Sequence, residues 1–247
     1  MLRASSAAAL VFSIFVFSGL AQAGCSGTVY LTIDTGSMSQ AESIAATLAK
    51  HQVKATFFLA NEKTVRGDYS LDPSWGEYWR ARVKEGHAFG SHTWRHWYFQ
   101  RDLKDGAIFF RTLDGSEHTR LSRQDFCVEL NQPSEVFEKL TGRKLDGLWR
   151  APGGRLTAHA REWGAGCGFP RHVSWSDAGF LGDELPSEQF PNDLLLKRAL
   201  GKIKDGDILV MHLGIWSRKD PFAPMLDPLL TGLKQRGICF ATLAAKP

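Results

Sequence analysis

Apolar residues along this chain come mostly in short unbroken runs rather than in strict alternation. Seven such runs, at 28–33, 54–59, 88–91, 147–150, 172–175, 207–211 and 238–243, are rich in β-branched and aromatic residues. Unbroken apolar runs of this length mark strands buried on both faces. Between them the pattern shifts to the period of amphipathic helices. Ser39 and Glu42 have capping-box spacing ahead of Ile44 and Leu48, which share one helical face. Asp72-Pro73 opens a second helix with Trp75, Trp79 and Val83 on one face and Gly86 as its stop. Further helices are predicted near 124–140 (ended by Gly142, with Pro133 as a kink point), 156–163, 194–203 and 225–234. One stretch, 97–120, has no clear period and carries Trp97, Tyr98, Phe99, Phe109 and Phe110. It reads as a long loop, a feature usually tied to function or mobility.

Alternating strands and helices predict a parallel sheet with helices packed outside it. Seven strands suit either a closed barrel or a doubly wound sheet. No repeat, low-complexity tract or composition break divides the chain, so 24–247 reads as one domain. At 247 residues, 43% hydrophobic and 23% charged, it can bury a full core and is neither disordered nor fibrous. A formal net charge of +4 is small beside 30 basic and 26 acidic side chains. With no dense basic run, nucleic acid is excluded as the main ligand. The 8 Trp and 16 Phe do offer faces on which sugar rings can stack.

The N-terminus predicts an address. Arg3 precedes an apolar stretch over 7–20, which is followed by Ala21-Gln22-Ala23. This is the layout of a cleavable signal peptide spanning 1–23. Ser13, Ser18 and Gly19 interrupt the stretch, which is short for a membrane span, so none is expected in the mature chain. Gln22 stands where a lipobox has Leu, which argues against a lipid anchor on Cys25. The expected location is the periplasm or the exterior. There the four cysteines, Cys25, Cys127, Cys167 and Cys239, can be paired in three ways. Cys25 precedes the first strand and Cys239 begins the last, which in a closed barrel places both at one end, within reach of a bridge. Cys127 and Cys167 are left open between a second bridge and buried thiols. No C-x-x-C spacing occurs, so a thiolate zinc site is not expected.

In parallel α/β folds reactive groups gather where strands end. The first strand ends in Asp34-Thr35-Gly36, the third in Ser91-His92-Thr93-Trp94-Arg95-His96 and the fourth in Arg150-Ala151-Pro152-Gly153-Gly154. The fifth ends in Trp175-Ser176-Asp177 and the sixth in Met211-His212. Singly these are weak signals. Asp34 can be a satisfied strand-end carboxylate, Arg150 a partner for a buried acid and His212 a core imidazole. His92 and His96, four apart, face one way if their segment is helical and then make a divalent-metal pair. It is their convergence on one mouth that carries weight.

In this order the motifs resemble those of the polysaccharide deacetylases, the NodB-homology or carbohydrate esterase family 4 group, over nearly the whole mature chain. The motif T-F-D-D-G corresponds to Thr32-Ile33-Asp34-Thr35-Gly36, while H-S/T-x-x-H is met by His92 to His96 and R-x-P-x-G by Arg150 to Gly154. A loose Trp/Asp motif is matched by Trp175-Ser176-Asp177 and L-x-x-H by Leu209-Val210-Met211-His212. The resemblance implies an irregular (β/α)7 barrel and metal-assisted removal of N-acetyl groups from amino sugars of a glycan such as peptidoglycan or poly-N-acetylglucosamine. By the same resemblance Asp34 is general base, His212 general acid, and His92 and His96 hold a divalent metal, usually zinc. Arg150 would position Asp34, Asp177 would tune His212, and Trp175 would wall the acetyl methyl, with Pro152 and Gly154 shaping the third motif. Trp94, Trp97 and Trp216 are candidate stacking faces.

One departure matters for the chemistry. Thr35 stands where most members carry a metal-binding Asp, and a neutral hydroxyl is a poor zinc ligand. Asp34 then doubles as ligand, or the ion is held weakly by the histidines and water, or no metal binds. The alternative to an enzyme is a carbohydrate-binding protein on the same fold.

Overall fold

A computed structural model describes residues 24–246; the expected signal peptide at 1–23 lies outside the described residues. In chain order the elements are β1 (Gly27–Asp34), α1 (Ala41–His51), β2 (Thr56–Leu59), α2 (Gly76–Lys84) and β3 (Ala88–Ser91). Then follow β4 (Tyr98–Asp102), β5 (Ile108–Arg111), β6 (His118–Leu121), α3 (Arg123–Thr141) and β7 (Leu148–Trp149). The chain continues with α4 (Ala158–Gly166), β8 (Arg171–His172), α5 (Asn192–Lys202), β9 (Ile208–His212), α6 (Leu226–Gln235) and β10 (Ile238–Phe240).

Seven of the strands form one parallel sheet in the order β10-β1-β2-β3-β7-β8, with β9 also paired to β1. Along one edge β1 pairs first with β10, through Gly27–Val29, and then with β9, through Tyr30–Asp34. Between β8 and β9 the ring is closed only by single contacts: Ser176 N–H donates to the Ile208 carbonyl and Phe180 bridges to Val210. The result is the expected irregular barrel.

Strand period two sorts the side chains. Val29, Leu31 and Ile33 of β1, Phe57 and Leu59 of β2, and Leu209 and Met211 of β9 point outward, into a core shared with Ile44, Leu48, Trp79, Leu229 and Leu233 of the surrounding helices. The alternate residues line the lumen, where Phe58, Leu148, Val173 and Leu243 cluster with Tyr30 and Ile208. Asp34 and His212 share the lumenal parity and sit opposite one another in the β1/β9 register. The pleat that buries Ile33 and Met211 thus turns the two polar groups inward.

Two expectations need correcting, and one left open is decided. The 97–120 stretch is no loop: β4, β5 and β6 form a three-stranded antiparallel sheet. Its apolar face (Phe99, Ile108, Phe110, Leu121) packs on Phe126 and Leu130 of α3 and on Trp149 and Trp163, forming a second core. Short strands with a register shift between Phe99 and Arg101 blur the alternation that would have revealed them. The Ser39/Glu42 capping box does not form; the N-cap of α1 is Gln40, without a side-chain cap. A capping box instead opens α3, between Ser122 and Asp125. Cys127 and Cys167 are bridged, at a Cα–Cα distance of 5.0 Å, tying α3 to the end of α4. Cys25 and Cys239 are bridged as expected, at 5.6 Å.

Candidate active site

Asp34 ends β1 in the lumen, 3% exposed. Its Oδ1 accepts a 2.8 Å hydrogen bond from Nη1 of Arg150, which is fully buried. The guanidinium donates through Nε to the Val173 carbonyl and through Nη2 to the Ser174 carbonyl, and lies over the Phe58 ring. Burial pushes the Asp34 carboxyl up, but the charge of Arg150, aided by His92 and His212, outweighs it and holds the group below the usual carboxylate range. Asp34 is therefore ionised, with Oδ1 engaged and Oδ2 turned toward His92 Nε2, 3.5 Å away.

His92 follows β3. Its Nδ1 lies 2.9 Å from the Arg150 carbonyl, which can only accept, so Nδ1 carries the proton and Nε2 keeps a lone pair. Burial pushes this imidazole down to about 4, against the pull of Asp34. His96 comes to the same place by a route the spacing did not foretell. The segment is not helical: Thr93 and His96 both adopt left-handed backbone, with φ of 66° and 56°. Such conformations cost on the order of 1–3 kcal/mol each for residues with a Cβ and persist only where surroundings impose them. The buried carboxylate of Glu129, on α3, does this by accepting from the backbone N–H of Trp94 (3.1 Å) and Arg95 (3.0 Å) and from Arg95 Nε (2.6 Å). The two imidazole centroids end 4.8 Å apart.

His212 ends β9 opposite Asp34. Its Nδ1–H faces both oxygens of Asp183, at 3.1 and 3.2 Å, and its backbone N–H donates to Asp183 Oδ2 at 2.7 Å. Burial disfavours the charged ring, but Asp183 outweighs burial and the pKa is pushed up to about 10. His212 is thus an imidazolium whose Nε2 faces the pocket, 4.0 Å from a Glu184 carboxylate oxygen. The expected partner, Asp177, is not there. It begins a 3-10 turn, Asp177–Gly179, and borders a separate depression with Arg198 and Lys202. The chain climbs beside β9 after Ser176, whose N–H meets Ile208, to Leu181, whose N–H meets Val210. Position 183, not 177, is therefore level with His212.

Trp175 lines the pocket and stacks on Phe180. Gly154 makes room for it: its φ is +68°, and a Cβ there would stand 2.9 Å from the indole. Buried Pro152 starts the 3-10 turn Pro152–Gly154. Trp94 packs into the main core and is no stacking face, whereas Trp97 lines the groove and Trp216 is 63% exposed on it.

Thr35 is fully buried and its hydroxyl is committed, donating to Glu62 Oε2 at 2.5 Å while accepting from the Ala60 N–H. Glu62 is the residue that strand-end reasoning missed, along with Asp183 and Glu129. It lies three residues past β2, so asking which polar groups follow the second strand would have found it. Its Oε2 also accepts from the Gly36 N–H at 2.7 Å, and its Oε1 lies 3.4 Å from His96 Nδ1. Burial works against its charge, but His96, Thr35 and the Gly36 N–H keep its pKa lowered.

Asp34, His92, His96, Trp175, Phe180, Glu184 and His212 surround a pocket of about 70 Å³. Glu184, His96 and His212 also border a groove of about 680 Å³, which runs past Glu62, Tyr98, Thr112, Leu113, Arg155 and Trp216. Two imidazoles and two carboxylates are the donor chemistry that zinc-type ions take, with one imidazole held in the ligating tautomer by a backbone carbonyl. Among the described residues no three such side chains are already drawn to coordination distance about one point. The residue types and their convergence nonetheless fit a divalent ion.

Against known proteins, the family profile for polysaccharide deacetylases matches residues 21–171. An uncharacterised protein of Geobacillus stearothermophilus is 28% identical over 216 residues, covering 87% of this chain and 69% of its own. A peptidoglycan-N-acetylglucosamine deacetylase of Listeria monocytogenes is 25% identical over 87% of this chain, which spans only 38% of that protein. Among solved structures, a peptidoglycan N-acetylglucosamine deacetylase bound to a hydroxamate superposes with a TM-score of 0.67 at 22% identity, over 88% of this chain and 86% of that one. A CE4-family pseudoenzyme of Bacillus anthracis superposes at 0.65 and 22%, over 88% and 64%. At such identities these structures establish the shared fold. With the profile covering more than half its length, the chain belongs to the polysaccharide deacetylase family, a group of amide-hydrolysing enzymes that also contains pseudoenzymes.

Proposed function

We propose that this protein is an active deacetylase that hydrolyses N-acetyl groups on amino sugars of a glycan, with peptidoglycan N-acetylglucosamine as the leading substrate. One observation carries the reading: the Asp34 carboxylate and the His212 imidazole, register partners on β1 and β9, line the same small pocket, the one held by Arg150 and the other by Asp183. Amide hydrolysis needs a base for the attacking water and an acid for the departing nitrogen, and each such proton transfer is worth roughly 10²–10⁴-fold. Asp34 Oδ2 accepts the water's proton while Arg150 holds Oδ1 still. His212 Nε2–H donates to the amine nitrogen, and Asp183 both orients the ring and keeps it charged. Trp175 and Phe180 form the apolar wall against the acetyl methyl, and Trp216 offers a face for a sugar ring outside the pocket.

His92 and His96 are the imidazoles that would hold a divalent ion. Such an ion, when bound, supplies Lewis-acid polarisation of the acyl carbonyl and activation of water. The proposed location is outside the cytoplasm. It is supported by the signal-peptide layout of 1–23 and by two disulfides, which persist in oxidising compartments.

The test is acetate release from peptidoglycan and from N-acetylglucosamine oligomers, with zinc added or chelated. Asp34→Asn and His212→Ala are each expected to lower release by about 10²-fold or more while keeping the parent circular dichroism. If both variants release acetate at the parent rate, the acid and base are misassigned. Glycan binding with no turnover at any metal would favour the binding-protein alternative, which Thr35 and the fold's pseudoenzymes suggest.

A further inference from the structure

The family's first motif lacks its second Asp here, yet a carboxylate stands beside the place where that side chain would be. We propose that Glu62 is the anionic ligand of the metal site, supplied from the end of β2 in place of the missing Asp at position 35. The inference rests on the deacetylase reading for the presence of an ion, but it is tested apart from turnover.

The β1/β2 register brings Glu62 to the site. Asp34 pairs with Phe58, the Thr35 N–H donates to the Phe58 carbonyl, and the Ala60 N–H donates to Thr35 Oγ1. Two residues on, Glu62 is pinned through its own backbone: its N–H donates to Ser70 Oγ at 3.1 Å and its carbonyl accepts from the Ser70 N–H at 2.8 Å. The side chain then folds back until Oε2 is 2.5 Å from the Thr35 hydroxyl, so the carboxylate begins where the Thr35 side chain ends.

The two oxygens have different surroundings. Oε2 is held by two donors, Thr35 Oγ1 and the Gly36 N–H. Among the described residues Oε1 has no such donor, and it faces His96 Nδ1 at 3.4 Å. One oxygen anchored by outer hydrogen bonds and the other presented is how proteins orient a ligating carboxylate. A separation of 3.4 Å is long for a hydrogen bond. It matches the spacing of neighbouring ligand atoms on one tetrahedral ion, which is about 3.3 Å for bonds of ~2.0–2.1 Å. Gly36, whose N–H holds Oε2, has a φ of +72° and lies so close to the Gly214 carbonyl that a Cβ there would stand 2.3 Å from it. On this reading Thr35 is a positioning residue: it gives up ligation and aims the carboxylate that ligates. Asp34, bound to Arg150, is left free for proton transfer.

The experiment is zinc affinity by competition with a chromophoric chelator on the purified protein. The cobalt absorption spectrum serves as a second readout of coordination. Glu62→Gln keeps size and acceptor oxygen but removes the charge, and is expected to lose more zinc affinity than the roughly 10–100-fold typical of an outer-shell partner. Adding Thr35→Asp to Glu62→Gln should return affinity to within about tenfold of the parent, because the carboxylate is restored one hydrogen bond away. Thr35→Val alone, which removes only the hydroxyl holding Oε2, should lose roughly 10–100-fold, and serves if Glu62→Gln does not fold. Parent-like zinc affinity and an unchanged cobalt spectrum in Glu62→Gln would overturn the proposal, as would a parent protein that binds no zinc. Zinc binding that depends on Glu62 without acetate release would sink the deacetylase reading and leave this ligand assignment standing. Acetate release with zinc affinity indifferent to Glu62 would do the reverse.

Discussion

Single side chains here are tuned in opposite directions by neighbours a few ångströms away. His92 and His212 are both lumenal imidazoles, yet one is pushed down to about 4 and the other up to about 10. The difference is Asp183, whose charge and hydrogen bonds outweigh the burial of His212. His172, half-buried and accepting from the Ala151 N–H through Nε2, is likewise lowered to about 4. The sign of each contribution to stability follows. His212 binds its proton more tightly folded than unfolded, so its stabilisation is complete below pH 6.5 and is lost as pH rises toward 10. His92 and His172 are held neutral, so theirs is complete above pH 6.5 and is lost as pH falls toward 4. The metal-stripped protein should therefore melt highest near pH 6.5, with Tm falling on both sides. Asp183→Asn should flatten the alkaline side and leave the acid side in place. An alkaline limb unchanged in that variant would show that Asp183 does not hold the proton on His212.

Among the elements, the segment joining β3 to β4 shows most clearly how one helix shapes the site. Thr93 and His96 stay in left-handed backbone because Glu129, one buried residue of α3, gathers two backbone N–H groups and Arg95. Glu129→Ala would leave those donors unpaired, at a cost on the order of 2–4 kcal/mol measured by chemical denaturation. It should also release His96 and weaken zinc binding. Glu129→Gln retains one acceptor and should cost less than Glu129→Ala. Equal stability of parent and Glu129→Ala would mean that the turn is held by other contacts. The three-stranded sheet of β4, β5 and β6 has a comparable role on the other side, since Tyr98 and Thr112–Leu113 form one bank of the groove.

At the scale of the whole molecule, the first and last strands of the barrel, already paired, are also tied covalently. Cys25–Cys239 joins β1 to β10 across a separation of 214 residues, and Cys127–Cys167 joins α3 to α4 across 40. In the chain-entropy picture these loops are worth roughly 5 and roughly 4 kcal/mol respectively, by restricting the unfolded chain. Removal of either bridge, by Cys239→Ser or Cys127→Ser, should lower Tm by about 10–20 °C. The longer loop should cost the more. A Tm unmoved by reductant would mean that the bridges are absent in the protein as purified.

Local pattern was enough for the parallel strands, most helices, the parallel architecture and the meeting of Asp34, His92, His96, Arg150, Trp175 and His212 at one end of the barrel. Burial on both faces imposes unbroken apolar runs, and chemistry at strand ends puts polar residues directly after them, so both leave marks within a few residues. The antiparallel excursion was harder to read, because its strands are short and its alternation is broken by a bulge. What three-dimensional packing alone decided are the partners drawn from elsewhere in the chain: Asp183 rather than Asp177 at His212, Glu129 behind the histidine turn, and Glu62 beside Thr35. Each is brought in by register or by the path of a connecting segment. Thr35 seen along the chain is a lost ligand; seen beside β2, it is the hydroxyl that holds Glu62 in place.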